Sequence, residues 1–442
     1  MCAAGEAGRL ALTRFDSGDM RQKNTTKISL TLLWLFLFVF TGISNAAPKE
    51  IKDLKPTVIL ISLDGFRYDY LDKYKAEHLN RLARNGVRAK WMIPAFPSLT
   101  FPNHYSIATG LYPENHGIVG NTIYDPEFQA RFSLEKREEV ENSRWWQGEP
   151  IWVTAEKQGL RAGAFFFPGT EAEIAGRRPT FWKTYDDKIP NAERVDQILS
   201  WLDLPQAERP QFYTLYFSDV DSAGHDFSPD SPEVAQAVAQ VDALVGRLFE
   251  GLKARNIHEK VNLIIVSDHG MASVKPGNII VLDDYFDAKK AEPIVWGGQL
   301  TGIFPKAGEE EAIYQLLNGK RIEHANCYRK AEIPARFHYR NNRRIAPIVC
   351  IADEGWMLMS RERYDKDKKD NKLPSRTKGA HGYDNQLESM RAIFIAHGAA
   401  FRRGKIIEPL ENVNVYNVMT KILGLRAAKN DGTLKAARQV LR

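Results

Sequence analysis

Three stretches of this chain run apolar without a break and then stop at acidic or imidazole side chains. That pattern narrows the possible fold more than any other feature. The stretches are PTVILISLDGF (56–66), RPQFYTLYFSDVD (209–221) and KVNLIIVSDHG (260–270), and RAIFIAHG (391–398) has the same apolar body. A strand wetted on one face alternates apolar and polar residues. One that is apolar throughout is covered on both faces, as in a parallel sheet. Helical patterns fill the intervals. In SPEVAQAVAQVDALVGRLFEGLKARNI, Ser231 reads as the cap and Pro232 as the first residue, and Val234, Val238, Val241, Leu244, Val245, Leu248 and Leu252 recur at helical spacing. The alternation predicts an α/β fold.

In open α/β sheets, function gathers at the carboxyl ends of the strands. Here Asp64 ends the first strand. Asp219, Asp221 and then His225 follow the second, Asp268 and His269 end the third, and KGAHGYDN places His381 in a glycine-flanked loop just before the fourth. Taken singly, such an Asp caps the next helix and such a His is structural. Taken together, they form a set of carboxylates that would repel one another without a cation, and Asp/His sets suit zinc. The count fits two ions. Asp221, His225 and His381 make a three-ligand site with an open position, with Asp221 and His225 spaced for one helical turn or a tight loop. Asp64, Asp268 and His269 make a second. Two ions about 4 Å apart clamp the attacking and leaving oxygens of a phosphoryl displacement.

FPSLTFPNH (96–104) holds a lone threonine. By itself Thr100 reads as the cap of a helix running through residues 104–108, with Pro102 in the first turn. Beside a metal and a helix N-terminus, however, its hydroxyl loses a proton more readily and becomes a nucleophile.

Elsewhere the charged segment Asp365–Ala380 reads as a mobile surface loop, and Ser133–Trp152 as part of an inserted cap. Arg21, Lys23 and Lys27 precede an uncharged apolar run, Ile28–Ile43, and then SNAAP, the order of a secretory signal with cleavage after Ala46. Residues 1–46 are therefore expected to be an N-terminal extension and signal peptide, with Met20 an alternative start, and 47–442 one catalytic domain. The mature chain is expected in the periplasm or secreted, and membrane-anchored only if the segment stays uncleaved. Cys327 and Cys350 form a disulfide or remain two buried thiols. The formal net charge of +6 is spread along the 442 residues. That excludes a basic stripe for duplex nucleic acid and mildly favours anionic substrates.

The motifs SLDGFRYDYL, MIPAFPSLTFPNHYSIATGLYPENHGIVGN, DVDSAGHD, VSDHGM and GAHGYDN, in this order, closely resemble the nucleotide pyrophosphatase/phosphodiesterase family of the alkaline phosphatase superfamily. The resemblance runs from about Pro56 to near the C-terminus. It is to compact bacterial forms without the cysteine-rich and nuclease-like domains of many animal members. It implies an alkaline-phosphatase-like, mostly parallel sheet with helices on both faces and a small inserted cap. It also implies two zinc ions per chain, one on Asp221, His225 and His381 and the other on Asp64, Thr100, Asp268 and His269, with Thr100 the nucleophile. Asn121 matches the asparagine that hydrogen-bonds a phosphate oxygen. Phe101 matches an aromatic residue that contacts the nucleobase, and Tyr185, with Trp182 close by, resembles the second aromatic. Where the family motif has Glu-Pro-Asp, this chain has Asp219-Val220-Asp221, which leaves Asp219 as a lesser alternative ligand.

The activity implied is hydrolysis of nucleotide phosphodiesters and pyrophosphates to nucleoside 5′-monophosphates through a phospho-threonine. Diesters are expected to exceed monoesters, because Asn121 stands where monoesterases place arginine. A lipid or choline-phosphate diesterase and a phosphonate hydrolase are the alternatives of the same fold. The complete ligand set argues against a non-catalytic binding protein.

Overall fold

Every residue of the Val58–Leu63 strand is buried, and alternate side chains leave a strand on opposite faces. Val58 and Leu60 join one core, whereas Ile59, Ile61 and Leu63 join the other. This is the geometry that a continuous apolar run demands. The computed structural model describes residues 50–319, 321–373 and 377–442, so the signal sequence read from residues 1–46 lies outside the described residues.

Val58–Leu63 pairs in parallel with Phe212–Phe217 on one side and Asn262–Val266 on the other. The eight-stranded sheet runs Lys405–Ile407, Val87–Ala89, Phe394–His397, Asn262–Val266, Val58–Leu63, Phe212–Phe217, Ala162–Phe165, Phe181–Trp182. Phe394–His397 is antiparallel to both of its neighbours, while the other pairings are parallel. The segment entering a reversed strand arrives at the edge where its parallel neighbours end. The chain containing His381 is thereby delivered to the same edge as Asp64 and Asp268.

Helices cover both faces. Pro232–Ala254 is capped by the Ser231 side chain, which accepts from the Val234 N–H. It buries Val234, Val238, Val241, Val245, Leu248 and Leu252 in one core, each such side chain contributing about 1.5–3 kcal/mol. On the other face, Thr100–Thr109, Ile151–Lys157 and Val415–Leu423 pack into the second core.

Three local expectations are corrected. Thr100 is the first residue of its helix rather than the cap. Leu99 takes the extended cap conformation without a side-chain bond, which frees the Thr100 hydroxyl. Part of Asp365–Ala380 is helical: Arg361–Lys369 is a helix whose cap, Ser360, accepts from the Arg363 N–H, and Arg363 pairs with Asp367 one turn on. Those local bonds, together with the bond from the Arg361 N–H to Asp283, offset its low apolar content. Ser133–Trp152 does not form a detached cap, because Trp145, Trp146 and Trp152 are buried in the main core. The inserted element is instead a four-stranded antiparallel sheet, ordered Ala291–Trp296, Leu300–Pro305, Ile348–Ala352, Ala325–Arg329. In it Cys327 and Cys350 are register partners joined by a disulfide.

A buried ion pair ties the Thr122–Asp125 strand to the loop before Ile348. Asp125 accepts from Arg344 Nε (2.7 Å) and Arg343 Nε (2.9 Å), and the Asp125 and Arg344 side chains are fully enclosed. Burial alone would raise the Asp125 carboxyl, but the two arginines outweigh it and hold it at about 2 against 3.8 unperturbed. A depressed folded-state pKa stabilises above the unfolded value, and that contribution is lost as pH falls through the folded one. From about pH 4 down to about pH 2 the fold should therefore lose about 2 kcal/mol from this group. Asp125→Asn should cost about 3 kcal/mol near neutrality. Unfolding measured across pH should show the gap between variant and wild type narrowing toward pH 2.

Candidate active site

Asp64 directly follows the Val58–Leu63 strand, its N–H donating to the Phe217 carbonyl (2.9 Å). Gly65 comes next, at φ +65°, and a Cβ there would lie 2.8 Å from the Asp221 Cα. The two acidic segments thus meet almost backbone to backbone, which only glycine permits. Asp221 and His225 sit one turn apart on the Asp219–Phe227 helix, on one face of it. Asp268 and His269 follow Asn262–Val266 after Ser267. His381 follows Gly379–Ala380, and a Cβ on Gly379 would lie 2.2 Å from the Gly224 carbonyl oxygen.

Asp221, His225 and His381 offer ligand atoms within 4.8 Å of one another. The His225 and His381 Nε2 atoms face each other at 3.1 Å, and Asp221 Oδ1 is 3.5 and 3.6 Å from them. Their Nδ1 atoms contact the carbonyls of Gly379 (2.8 Å) and Ser98 (3.0 Å). Rings that donate through Nδ1 present lone pairs at Nε2. Two facing lone pairs cannot bond each other but can share a cation.

A second set surrounds His269. Its Nε2 is 2.9 Å from Asp268 Oδ2, 3.5 Å from Asp64 Oδ1 and 3.2 Å from Thr100 Oγ1, while its Nδ1 contacts the Gly270 carbonyl. Asp64, Asp221 and His269 also fall within 4.8 Å of one another, so the two sets are contiguous. Asp64 Oδ1 and Asp221 Oδ1 are buried with no hydrogen-bond donor among the described residues, and Asp268 Oδ2 has imidazole nitrogens of His269 and His104 beside it. Burial first, then the charges of Asp268 and Asp221, push the Asp64 carboxyl well above the usual carboxylate range. Burial also raises Asp221, against the opposing pull of His225 and His269. For Asp268 the same burial is outweighed by the His269 and His104 rings, which hold it low. Burial and the neighbouring His269 and His225 keep His381 neutral, the form in which imidazole is a ligand.

The structure brings in two groups that the sequence reading did not single out. His104, one turn after Thr100, lies with Asp64 and Asp268 in a third possible ligand set. Its ring is already used: Nε2 meets Ser62 Oγ (2.7 Å), and Nδ1 meets the Thr100 carbonyl (2.9 Å) and Asp268 Oδ2 (3.3 Å). With no lone pair left over, it braces Thr100 and Asp268. The four-residue spacing from Thr100 was the available signal. Tyr216 donates to Asp64 Oδ2 (2.6 Å). Asp219, in contrast, lies outside these sets, both of its carboxylate oxygens accepting from Asn191 Nδ2.

Thr100 opens its helix and is half-buried. The next N–H, that of Phe101, donates to Asn121 Oδ1 (3.0 Å), which leaves the Asn121 amide nitrogen as the donor available to a phosphoryl oxygen. Thr100, Phe101, Tyr185, Asp64 and Asp221 line one cavity of about 360 Å³. Tyr185 packs edge-on against Phe166. Trp182 is not part of that wall and lies under the Arg178 guanidinium. One arginine, Arg137, does line the cavity, but it pairs with Glu171 and Glu141.

Comparison with known proteins matches residues 58–384 to the family described as type I phosphodiesterase / nucleotide pyrophosphatase. The chain is 41% identical over 422 residues to an uncharacterised pyrophosphatase/phosphodiesterase of Schizosaccharomyces pombe, covering 92% of this chain and 86% of that one. It is 41% identical over 384 residues to a venom phosphodiesterase of Crotalus durissus collilineatus, covering 85% of this chain but only 45% of the venom protein. Among solved structures, murine ectonucleotide pyrophosphatase/phosphodiesterase 5, as an inactive threonine-to-alanine variant in complex with AMP, superposes with a TM-score of 0.80 at 34% identity. That match covers 87% of this chain and all of the other.

Divalent metal should relieve the carboxylate repulsion. Zinc at a hundred times its dissociation constant should stabilise the wild type by about 3 kcal/mol, read as a rise in unfolding temperature together with bound metal by elemental analysis. His225→Ala should lose much of both. Asp64→Asn should be more stable than wild type in chelator and should gain less from zinc.

Proposed function

The chain belongs to the type I phosphodiesterase / nucleotide pyrophosphatase family, hydrolases of alkaline-phosphatase-like fold, and from that premise we propose that it cleaves nucleotide phosphodiester and pyrophosphate bonds to nucleoside 5′-monophosphates. The observation that carries this reading is the shared cavity. The hydroxyl of Thr100 and the two aromatic residues Phe101 and Tyr185 line one space of nucleotide size beside the carboxylates.

The donor set, with the unpartnered oxygens of Asp64 and Asp221, the Asp268 carboxylate and two facing imidazole nitrogens, fits two divalent cations, and its Asp/His composition fits zinc. Asp221, His225 and His381 would hold one, and Asp64, Thr100, Asp268 and His269 the other. When bound, they supply positive charge that favours the Thr100 alkoxide and neutralises the phosphoryl oxygens. Thr100 Oγ1, at a helix N-terminus that also favours negative charge, releases its proton to solvent and attacks phosphorus. A bond from Thr100 oxygen to phosphorus forms as the bond to the leaving oxygen breaks, and that oxygen takes a proton from solvent. Water then displaces Thr100 from the phospho-threonine, which restores the hydroxyl and frees the nucleoside 5′-monophosphate. The Asn121 amide donates to a phosphoryl oxygen in both steps, and His104 keeps the first helical turn in place.

The same reading puts residues 47–442, as one catalytic domain, outside the cytoplasm. The order of charged, apolar and small residues before Ala47 supports it, as does the Cys327–Cys350 disulfide, a bond of oxidising compartments. No helix among the described residues is long and apolar enough to cross a membrane.

Thr100→Ala should cut kcat about a thousand-fold or more while still binding a nucleoside 5′-monophosphate, and Thr100→Ser should retain part of the activity. Steady-state kinetics and product titration check this, and turnover of Thr100→Ala at the wild-type rate would point to direct attack by water. A second set of measurements concerns recognition. A stacked base contributes about 1–3 kcal/mol, so Phe101→Ala should lower kcat/KM for a nucleotide aryl diester about ten-fold or more, and Tyr185→Ala somewhat less. A base-free diester should be affected far less. Because Arg137 is paired with carboxylates and Asn121 is neutral, an aryl phosphate monoester should be a much poorer substrate than the diester. Equal loss on both diesters would favour a lipid or choline-phosphate substrate.

A further inference from the structure

A second cavity, of about 340 Å³, adjoins the site through Asn121, His225 and His381, and its wall does not include Thr100, Phe101 or Tyr185. It lies where the Thr122–Asp125 hairpin meets the inserted antiparallel sheet, and Tyr124, Val295, Trp296, Leu300 and Phe304 form much of it. An in-line displacement puts the attacking and leaving oxygens on opposite sides of phosphorus. With the nucleophile and the aromatic slot in the first cavity, the leaving group is directed to the other.

We infer that this second cavity is the leaving-group site and that it selects leaving groups carrying an aromatic ring over inorganic pyrophosphate. The inference rests on the phosphodiesterase reading above and adds to it the identity of the departing half. Its physical basis is the wall. The cationic side chain in the wall is Arg344, and its guanidinium is already used on Asp125 and on the carbonyls of Gly117, Trp145 and Arg144. Beyond the cation that His225 and His381 would hold at the reacting phosphoryl group, a polyanion entering this space gives up hydration and meets no free arginine or lysine in the wall. A ring instead covers Tyr124 and Trp296 with apolar area and stacks or packs edge-on.

The test uses zinc-loaded protein and three substrates that share a thymidine 5′-phosphoryl group: the p-nitrophenyl ester, the methyl ester and thymidine triphosphate. Trp296→Ala and Tyr124→Ala should lower kcat/KM on the aryl ester about ten-fold more than on the methyl ester. Val295→Lys should raise the ratio of triphosphate to aryl ester about ten-fold by supplying a cation. Unfolding temperatures identify any variant that does not fold, and the remaining variants then decide. Equal losses on all three substrates, with an unchanged ratio in folded Val295→Lys, would overturn the inference while leaving the phosphodiesterase reading intact. Wild-type protein that turned over none of the three would overturn both.

Discussion

Asp64 and Asp268 are buried side by side with the half-buried Asp221, and Asp64 and Asp221 each keep an oxygen that no donor reaches among the described residues. Burial first, and then the charges of the other two carboxylates, push Asp64 well above its ordinary range. A divalent cation among these oxygens would offset the cost of their charges. Much of the surrounding architecture serves to hold these oxygens a few ångströms apart. The parallel strands bring Asp64 and Asp268 to one edge. Gly65 lets the helix bearing Asp221 come within contact of the first strand, and Gly379 does the same for the segment bearing His381.

Thr100, the proposed nucleophile, is held by the same parts. Thr100 opens its helix, where the helix dipole favours a negative oxygen, and His104 one turn later ties the Thr100 carbonyl to Ser62 and Asp268. A shift of that helix would therefore move both the Thr100 hydroxyl and a carboxylate of the charged cluster. The imidazoles are oriented from behind by backbone carbonyls at Gly379, Ser98 and Gly270. Such bonds set which nitrogen faces the cluster.

Two cavities meet at this cluster, and they are built differently. The one holding Phe101 and Tyr185 lies against the main sheet. The one holding Tyr124 and Trp296 depends on the inserted sheet, fastened by the enclosed Asp125–Arg344 pair. A substrate bridging them would place its phosphoryl group beside Thr100 and Asn121. On the proposals above, recognition of the two halves of the substrate is separable, one half read from the main sheet and the other from the insertion.

Sequence alone determined the strands, the long helix and the chemical character of their ends. A buried strand must be apolar throughout, an amphipathic helix must repeat at 3.6 residues, and ligands on one helical turn must stand four apart. Asp221 with His225, and Asp64, Asp268 and His269 as strand ends, follow from such local rules, and the order of the motifs carried the family. Contacts between residues far apart in the chain were decided only by the tertiary structure. The reversal of Phe394–His397 brings His381 to the ligand edge, Asn191 takes up Asp219, and Ser62 and Asp268 occupy the ring of His104. The pairing of Cys327 with Cys350, the choice of Tyr185 over Trp182 and the second cavity between residues 121–124 and 295–304 belong with these. Local patterning records which face a side chain takes and how a segment begins. It does not record which distant segment will lie against that face, because that depends on how the whole sheet and its insertion pack.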